Sequence, residues 1–458
     1  MKSGPSTVMS VAARTVLAVA PVGLPPPHLY GGKNMARWNT IARGVALGAA
    51  ASLALAACSS GGDSDNTSAS PAMSSAPSVA GALKVGTLLP LTGSLAFLGP
   101  PEVAGVHLAV NEINDAGGLF GADVEVIDTD SSDTTQPQIT SQSVSKLIAD
   151  GVGAIIGAAS SSVTLNVVDD VAAAEVVMVS PANTSTALTG YSPFYFRVAP
   201  PDTVQGNALA NVILADGYKN IGILVFNDDY GTSLRDVIQA TIEGEGGTIT
   251  YGTESEEFDP AASNFSSDVQ AILATNPEAI ALISFDQAKQ IIPELVSAGY
   301  DGSKIYLVDG NTSDFSKDFD AGALTGAKGT IPGANASDDF KKLLEGANGG
   351  PLDTLAYGPE SYDATMLVAL AALKGGAPDG VTIQANMAAV SGADGGTECS
   401  GWVECSELIA AGEDIMYMAV SGSGPFNADN DPSSAYIGVY VYGADNIPAW
   451  TEAVFGEV

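Results

Sequence analysis

From Leu83 onward the chain alternates short apolar runs with longer, partly polar stretches at a steady pace. That pattern predicts parallel strands joined by crossover helices. Leu83–Leu88 reads as a strand, and Pro101–Ala116 as a helix with Ala104, Leu108 and Ile113 among its apolar positions. A strand over Val124–Asp128, a helix over Gln136–Ala149, a strand over Ala154–Gly157, a helix over Ser162–Ala174 and a strand over Val176–Val179 follow. The pattern then restarts. Helices over Thr203–Ala215, Ser233–Glu243, Asn264–Ala274 and Ala288–Ala298 separate strands over Ile221–Phe226, Thr248–Tyr251, Ala279–Ser284 and Ile305–Val308. One long helix over Tyr362–Lys374 and an alternating strand over Tyr436–Tyr442 end the series. The expected fold class is α/β: two doubly wound parallel sheets in tandem, with ligand sites at the carboxyl ends of their strands.

The N-terminal region follows a different rule. Val45–Ala57 is an apolar run preceded by Arg37 and Arg43 and ending in Leu55-Ala56-Ala57-Cys58. It is far shorter than the ~20 residues a membrane span needs, and its basic flank and small terminal residues describe a secretion signal. The cysteine after the small pair resembles the bacterial lipoprotein box, in which Cys58 would be lipidated and become the mature N-terminus. Met35 heads a complete signal, so residues 1–34 are expected to be an over-extended reading frame and 35–57 the signal peptide. Residues 58–81, rich in Ser, Gly, Ala and Asp, form a flexible tether spanning roughly 25 Å. The signal implies a protein outside the cytoplasm, at the outer face of the cell membrane, and because no later segment is long and apolar enough to cross a bilayer, the lipid would be its only anchor.

Composition narrows the partners. The chain has 52 acidic and 17 basic residues; five of the basic and none of the acidic ones precede Cys58, leaving 12 − 52 = −40 for the mature part. Such a surface repels nucleic acid and anionic lipid. The length after the tether suits two domains, and a monomer is expected. Catalytic signatures are missing: there is no His-Glu-x-x-His, Gly-x-Ser-x-Gly or Gly-x-x-x-x-Gly-Lys-Ser/Thr, and His107 is the one histidine of the mature part. The run Gly151–Gly157 superficially resembles a dinucleotide fingerprint, but its glycines bracket a strand, whereas the fingerprint follows a strand and opens a helix. Neither an enzyme, nor a metal, nor a cofactor is expected. Cys399 and Cys405 lie six residues apart in a compartment that permits disulfides. A bridge there would contribute about 2 kcal/mol; a metal or redox pair would need further ligands or a Cys-x-x-Cys spacing.

The segments that could carry chemistry are polar strand ends. Ile155-Ile156-Gly157 runs into Ala158-Ala159-Ser160-Ser161-Ser162, and Val179 into Ser180-Pro181-Ala182-Asn183-Thr184-Ser185. Serine hydroxyls and backbone N–H groups at such places can hold an anion, although ordinary helix caps would use the same residues. The second set of strands ends in Asn227-Asp228-Asp229-Tyr230-Gly231, Phe285-Asp286 and Asp309-Gly310-Asn311. A cleft between the two edges would have neutral donors on one side and aromatic and acidic groups on the other.

With these segments in view, the chain resembles the leucine/isoleucine/valine-binding family of solute-binding proteins, the amino-acid receptors of ABC importers, with amide- and urea-binding relatives. The resemblance runs from about Leu83 to Val458. It rests on Gly86-Thr87-Leu88-Leu89-Pro90-Leu91-Thr92-Gly93, Asn111-Glu112-Ile113-Asn114-Asp115-Ala116-Gly117-Gly118, Ile155-Ile156-Gly157 with its serines, Ser180-Pro181, Phe196-Arg197 and Asp229-Tyr230-Gly231, in this order and spacing. It implies a type I periplasmic binding protein: two lobes joined by three crossovers, lobe 1 from 82–200 and 333–418, lobe 2 from 201–332 and 419–458. It also implies that Ser161, Ala182 and Thr184 hold a ligand's α-carboxylate and ammonium from lobe 1 and that Tyr230 closes over it from lobe 2. Asp309, or in another alignment Gly310, would meet the ammonium, and Leu98 and Phe285 fall near tyrosines of leucine-type receptors. The implied function is capture of an apolar amino acid and delivery to a permease. The alternatives are short amides or urea-like ligands, or a ligand sensor of the same fold.

Overall fold

The computed structural model describes residues 81–458. The expected signal, the lipidation site Cys58 and the tether up to residue 80 lie outside the described residues. The first half builds β1 (Lys84–Leu89), α1 (Gly99–Asp115), β2 (Glu125–Asp130), α2 (Pro137–Ala149), β3 (Ala154–Gly157), α3 (Ser161–Leu165), α4 (Val168–Ala173), β4 (Val177–Ser180) and β5 (Tyr195–Arg197). It is followed by α5 (Asp202–Ala215), β6 (Asn220–Val225), α6 (Asp229–Gly244), β7 (Thr248–Tyr251), α7 (Ser266–Ala274), β8 (Ala279–Ile283), α8 (Ala288–Ser297), β9 (Ile305–Leu307) and β10 (Lys328–Pro332). The last part holds α9 (Asp338–Asn348), α10 (Gly358–Gly375), α11 (Gly380–Ser391), β11 (Thr397–Cys399), α12 (Gly401–Ala410), β12 (Ile415–Tyr417), β13 (Ser434–Tyr442) and β14 (Pro448–Glu457).

Two large sheets result, in the orders β2-β1-β3-β4-β5 and β14-β13-β10-β9-β8-β6-β7. The first is wholly parallel. Its inner strands β3 and β4 and the second sheet's β8 are buried at every position, as strands covered on both faces must be. The second sheet is parallel from β10 to β7, but β13 and β14 join it antiparallel. To the expected parallel sheet this edge adds a hairpin of β13 and β14, which permits antiparallel pairing through a short turn where a parallel pair needs a long crossover. The expected helix over Ser162–Ala174 is two helices, α3 and α4, broken at Asn166–Val167.

The chain crosses between sheets three times: after β5, after β10 and after β12. Helices α9 to α12 pack on the first sheet's side, against α1, β3 and β4, and bury a core with Val106, Ile113, Met366, Leu370 and Trp402. The third crossing is pinned by Asp363 of α10, which accepts hydrogen bonds from Tyr417 Oη (2.7 Å), Val420 N (3.0 Å) and Ser421 N (2.8 Å). Sγ atoms of Cys399 and Cys405 are bonded to each other, both residues buried between β11 and α12. His107 sits on α1 with its ring 2.9 Å from Asp128 of β2, a pairing that raises its pKa above the ordinary histidine value and suits a structural role. No single helix among the described residues is long and apolar enough to cross a membrane.

Candidate functional site

Strand β3 delivers the lobe-1 wall. Gly157 ends it at φ +133°, and a Cβ there would lie 2.1 Å from the Leu88 carbonyl oxygen. Only glycine fits so close an approach, and the chain turns there into Ala158–Ser162. The hydroxyls serve their own backbone first. Ser160 Oγ caps α3 by accepting from Val163 N (3.3 Å), Ser180 Oγ accepts from Ala182 N (3.2 Å) and Asn183 N (2.9 Å), and Ser161 Oγ accepts from Ser185 N (3.3 Å). Thr184 Oγ1 is buried without a partner. Of the backbone N–H groups anticipated as anion donors, those of Ala182, Asn183 and Ser185 are therefore already engaged.

The second sheet supplies the opposite wall. Asp309, just past β9, is 5% exposed and accepts from three neutral donors. Its Oδ1 accepts from Tyr230 Oη (2.7 Å) and Gln205 Nε2 (2.7 Å), and its Oδ2 from Tyr357 Oη (2.6 Å). Burial pushes this carboxyl up from the ordinary aspartate range, and the three donors pull it part of the way back. Tyr230 and Tyr357 are held well above the usual phenol range, by burial and then by the charge of Asp309. Gly310 lets the Phe285 ring lie over the backbone, since a Cβ there would come within 2.9 Å of that ring. Phe285 is stacked with Tyr230 (centroids 5.7 Å, 11°) and packs edge-on to Phe226 (4.8 Å).

Between the walls lies an inner cavity of ≈ 10 Å³, room for about one water molecule. Leu98, Ser161, Ala182, Tyr230, Phe285 and Asp309, six of the seven residues singled out for ligand contact, line it. The seventh, Thr184, lies behind it, its carbonyl accepting from Asp202 N (2.6 Å). Both Asp309 and Gly310 face the cavity, whereas Asp286 lines only the two larger cavities beside it, of ≈ 550 and ≈ 260 Å³. Phe285 borders all three and so partitions the cleft. The walls also touch directly. Ser162 Oγ donates to Asp229 Oδ2 (2.8 Å), Ser185 Oγ to Asp229 O (3.1 Å) and Thr186 N to Ser233 Oγ (2.9 Å).

Sequence reasoning missed Gln205 and Tyr357. Gln205 sits in the first turn of α5, where a polar residue ordinarily faces solvent. Tyr357 precedes α10 in the left-handed region, φ 61°, a costly conformation for an aromatic residue that persists where the surroundings impose it. The two arginines beyond the tether do not reach the cavity. Arg197 binds Asp431 through Nε (2.6 Å) and Nη2 (2.8 Å) and also donates to Ser185 O (2.8 Å) and Thr189 Oγ1 (2.6 Å), while Arg235 pairs with Asp236 and Glu257.

Two α/β lobes, three crossings and a polar cleft at facing strand ends define a two-lobed solute-binding protein. The chain belongs to the periplasmic binding protein family, whose profile matches residues 82–405, and its two-lobed fold is of the type I kind. It is similar to the chemotactic signal transduction system substrate-binding protein BasB of Halobacterium salinarum, 29% identical over 77% of this chain and 85% of that one. A leucine-, isoleucine-, valine-, threonine- and alanine-binding protein of Pseudomonas aeruginosa is 32% identical, over 36% of this chain and 44% of that protein. Among solved structures, the substrate-binding protein LivJ of Streptococcus pneumoniae, in complex with isoleucine, superposes with a TM-score of 0.67 at 22% identity, covering 82% of this chain and all of that one. Proteins of this family bind small molecules, act with ABC permeases and work outside the cytoplasm.

Proposed function

We propose that the protein captures a zwitterionic amino acid with an apolar side chain between its lobes and hands it to an ABC permease. The observation that carries this reading is Asp309: a buried carboxylate ringed by neutral donors, with no cation bonded to it, at the junction of an aromatic wall and a hydroxyl wall. An ammonium suits that carboxylate, Ser161 suits the ligand's carboxylate, with Thr184 set behind the cavity, and Tyr230, Phe285 and Leu98 suit a carbon skeleton. Short amides and urea-like ligands are the runner-up. Lipidation at Cys58 and the role of residues 58–81 as a tether belong to the same reading, as do the lobe boundaries 82–200 with 333–418 and 201–332 with 419–458.

Calorimetry against the twenty amino acids, then amides and urea, is the test. An apolar amino acid should bind wild type, and Asp309→Asn, which keeps the shape and removes the charge, should weaken it at least tenfold, in line with the about 2–5 kcal/mol lost when one partner of a buried charged pair is removed. An amide that binds where every amino acid fails would make the runner-up the answer. The likeness to BasB, named as part of a chemotactic system, favours a second reading: ligand sensing through a membrane partner. A kinase or transducer gene beside this one, in place of permease and ATPase genes, would decide for it.

A further inference from the structure

The three donors to Asp309 come from different parts of the fold. Gln205 stands on α5 and Tyr230 on α6, helices that pack on the second sheet, and that sheet also carries Asp309 just past β9. Tyr357 belongs to the other lobe. It precedes α10, whose N-terminus is pressed onto α1 on the first sheet's side. A Cβ on Gly105 would lie 2.2 Å from the Gly358 carbonyl oxygen, and one on Gly358 would lie 3.1 Å from that of Pro101. The hydrogen bond from Tyr357 Oη to Asp309 Oδ2 (2.6 Å) therefore runs from one lobe to the other, and both residues line the inner cavity. Oδ1 takes its two donors, Tyr230 and Gln205, from its own wall, whereas Oδ2 takes Tyr357 from the facing one.

An inner cavity of ≈ 10 Å³ has no room for an amino acid. A ligand that reaches Asp309 has to part the walls by the thickness of its own chain, roughly 3.5–4 Å between packed carbon atoms. The bonds from Tyr230 and Gln205, made within one wall, survive that displacement; a 2.6 Å bond between facing walls does not. Parting therefore strips Oδ2 of its donor and leaves Oδ1 served. A buried acceptor without a partner is costly, and a ligand's ammonium supplies the missing donor. We propose that Tyr357 is a cross-lobe latch: its hydroxyl takes on Asp309 the place that a ligand's ammonium needs, so it draws part of the unliganded population into the closed form and competes with the ligand. Such competition lowers apparent affinity by the fraction of molecules that are open. The inference rests on the amino-acid reading for the competing ammonium and adds to it a device that sets how tightly the ligand is held.

The experiment compares wild type with two variants. Tyr357→Phe keeps the ring and loses the hydroxyl between the lobes; Tyr230→Phe takes a hydroxyl from the same carboxylate within one wall. Small-angle scattering without added ligand should give a larger radius of gyration for Tyr357→Phe and the wild-type value for Tyr230→Phe. In calorimetry with L-leucine, or the amino acid that ranks first in the screen, Tyr357→Phe should bind about three- to tenfold more tightly than wild type. Tyr230→Phe should gain nothing. Unchanged or weaker binding by Tyr357→Phe overturns the inference, since a hydroxyl that only supports the fold or serves the bound ligand gives that result. An unliganded profile that stays the same in Tyr357→Phe, or that expands equally in Tyr230→Phe, overturns it too. Failure of every amino acid to bind both wild type and Tyr357→Phe defeats the amino-acid reading, and the scattering comparison then decides the latch by itself.

Discussion

At Asp202 the energetics of one buried group become measurable without any ligand. Its pKa is about 7 in the folded protein, raised chiefly by burial, against about 3.9 in the unfolded chain. A carboxyl whose folded pKa is raised contributes stability that is fully present below the unfolded value and is lost as pH rises through the folded one. Asp202→Asn removes the titration, and its amide can donate to the unpartnered Thr184 Oγ1 or Gln205 Oε1. The variant should match wild type near pH 4 and exceed it at pH 8, by about 4 kcal/mol. Thermal unfolding of both proteins across that window checks it; a stability difference independent of pH would show that Asp202 is ionised throughout. Tyr357 illustrates the opposite economy, a strained backbone kept because its hydroxyl meets Asp309.

Among the elements, the β11–α12 unit carries a local constraint. Cys399 and Cys405 are bonded and buried beside Trp402, whose backbone N–H donates to Glu112 Oε1 of α1 (2.8 Å). None of these residues lines the inner cavity. Replacing both cysteines by serine should therefore cost about 2 kcal/mol of stability and leave ligand affinity nearly unchanged. Alkylation of unreduced protein should find no free thiol at either position; two reactive thiols would overturn the pairing. Two of the strands that sequence reading passed over lack a readable pattern. Lys328–Pro332 (β10) holds a glycine and a proline and shows no alternation, so pairing with β9 and β13 makes it a strand. Pro448–Glu457 (β14) is largely exposed along its length and has no inside-outside pattern to read. By contrast α10, with fifteen of eighteen residues buried, and the buried strands β3 and β8 stood out, because burial on all sides demands unbroken apolar runs.

For the whole molecule, an inner cavity of ≈ 10 Å³ between walls that hydrogen-bond to each other requires the lobes to part before a ligand enters. Hinge motion about the three crossings is the economical route. Small-angle scattering should give a smaller radius of gyration at saturating ligand than without it, and an unchanged profile would argue against closure. Ser162→Ala, which removes the hydrogen bonds of that hydroxyl with Asp229, should shift the unliganded profile toward the open form.

The order and kind of most elements, the doubly wound class and six of the residues around the inner cavity were legible in the chain itself. Each follows from local rules: periodicity of apolar positions, hydroxyl and acidic residues at strand ends, and short motifs in a fixed order. What only the tertiary structure decided is how those residues are spent. It turned the hydroxyls of Ser160, Ser161 and Ser180 toward the backbone of their own wall and those of Ser162 and Ser185 across to Asp229, committed Arg197 to Asp431, and bent β13 and β14 into an antiparallel edge. It also brought Gln205 and Tyr357 to Asp309 from 104 and 48 residues away and left the buried Asp202 carboxylate without a partner. Hydrogen-bond satisfaction and burial depend on which segments meet across the crossings, and no window of sequence contains that information.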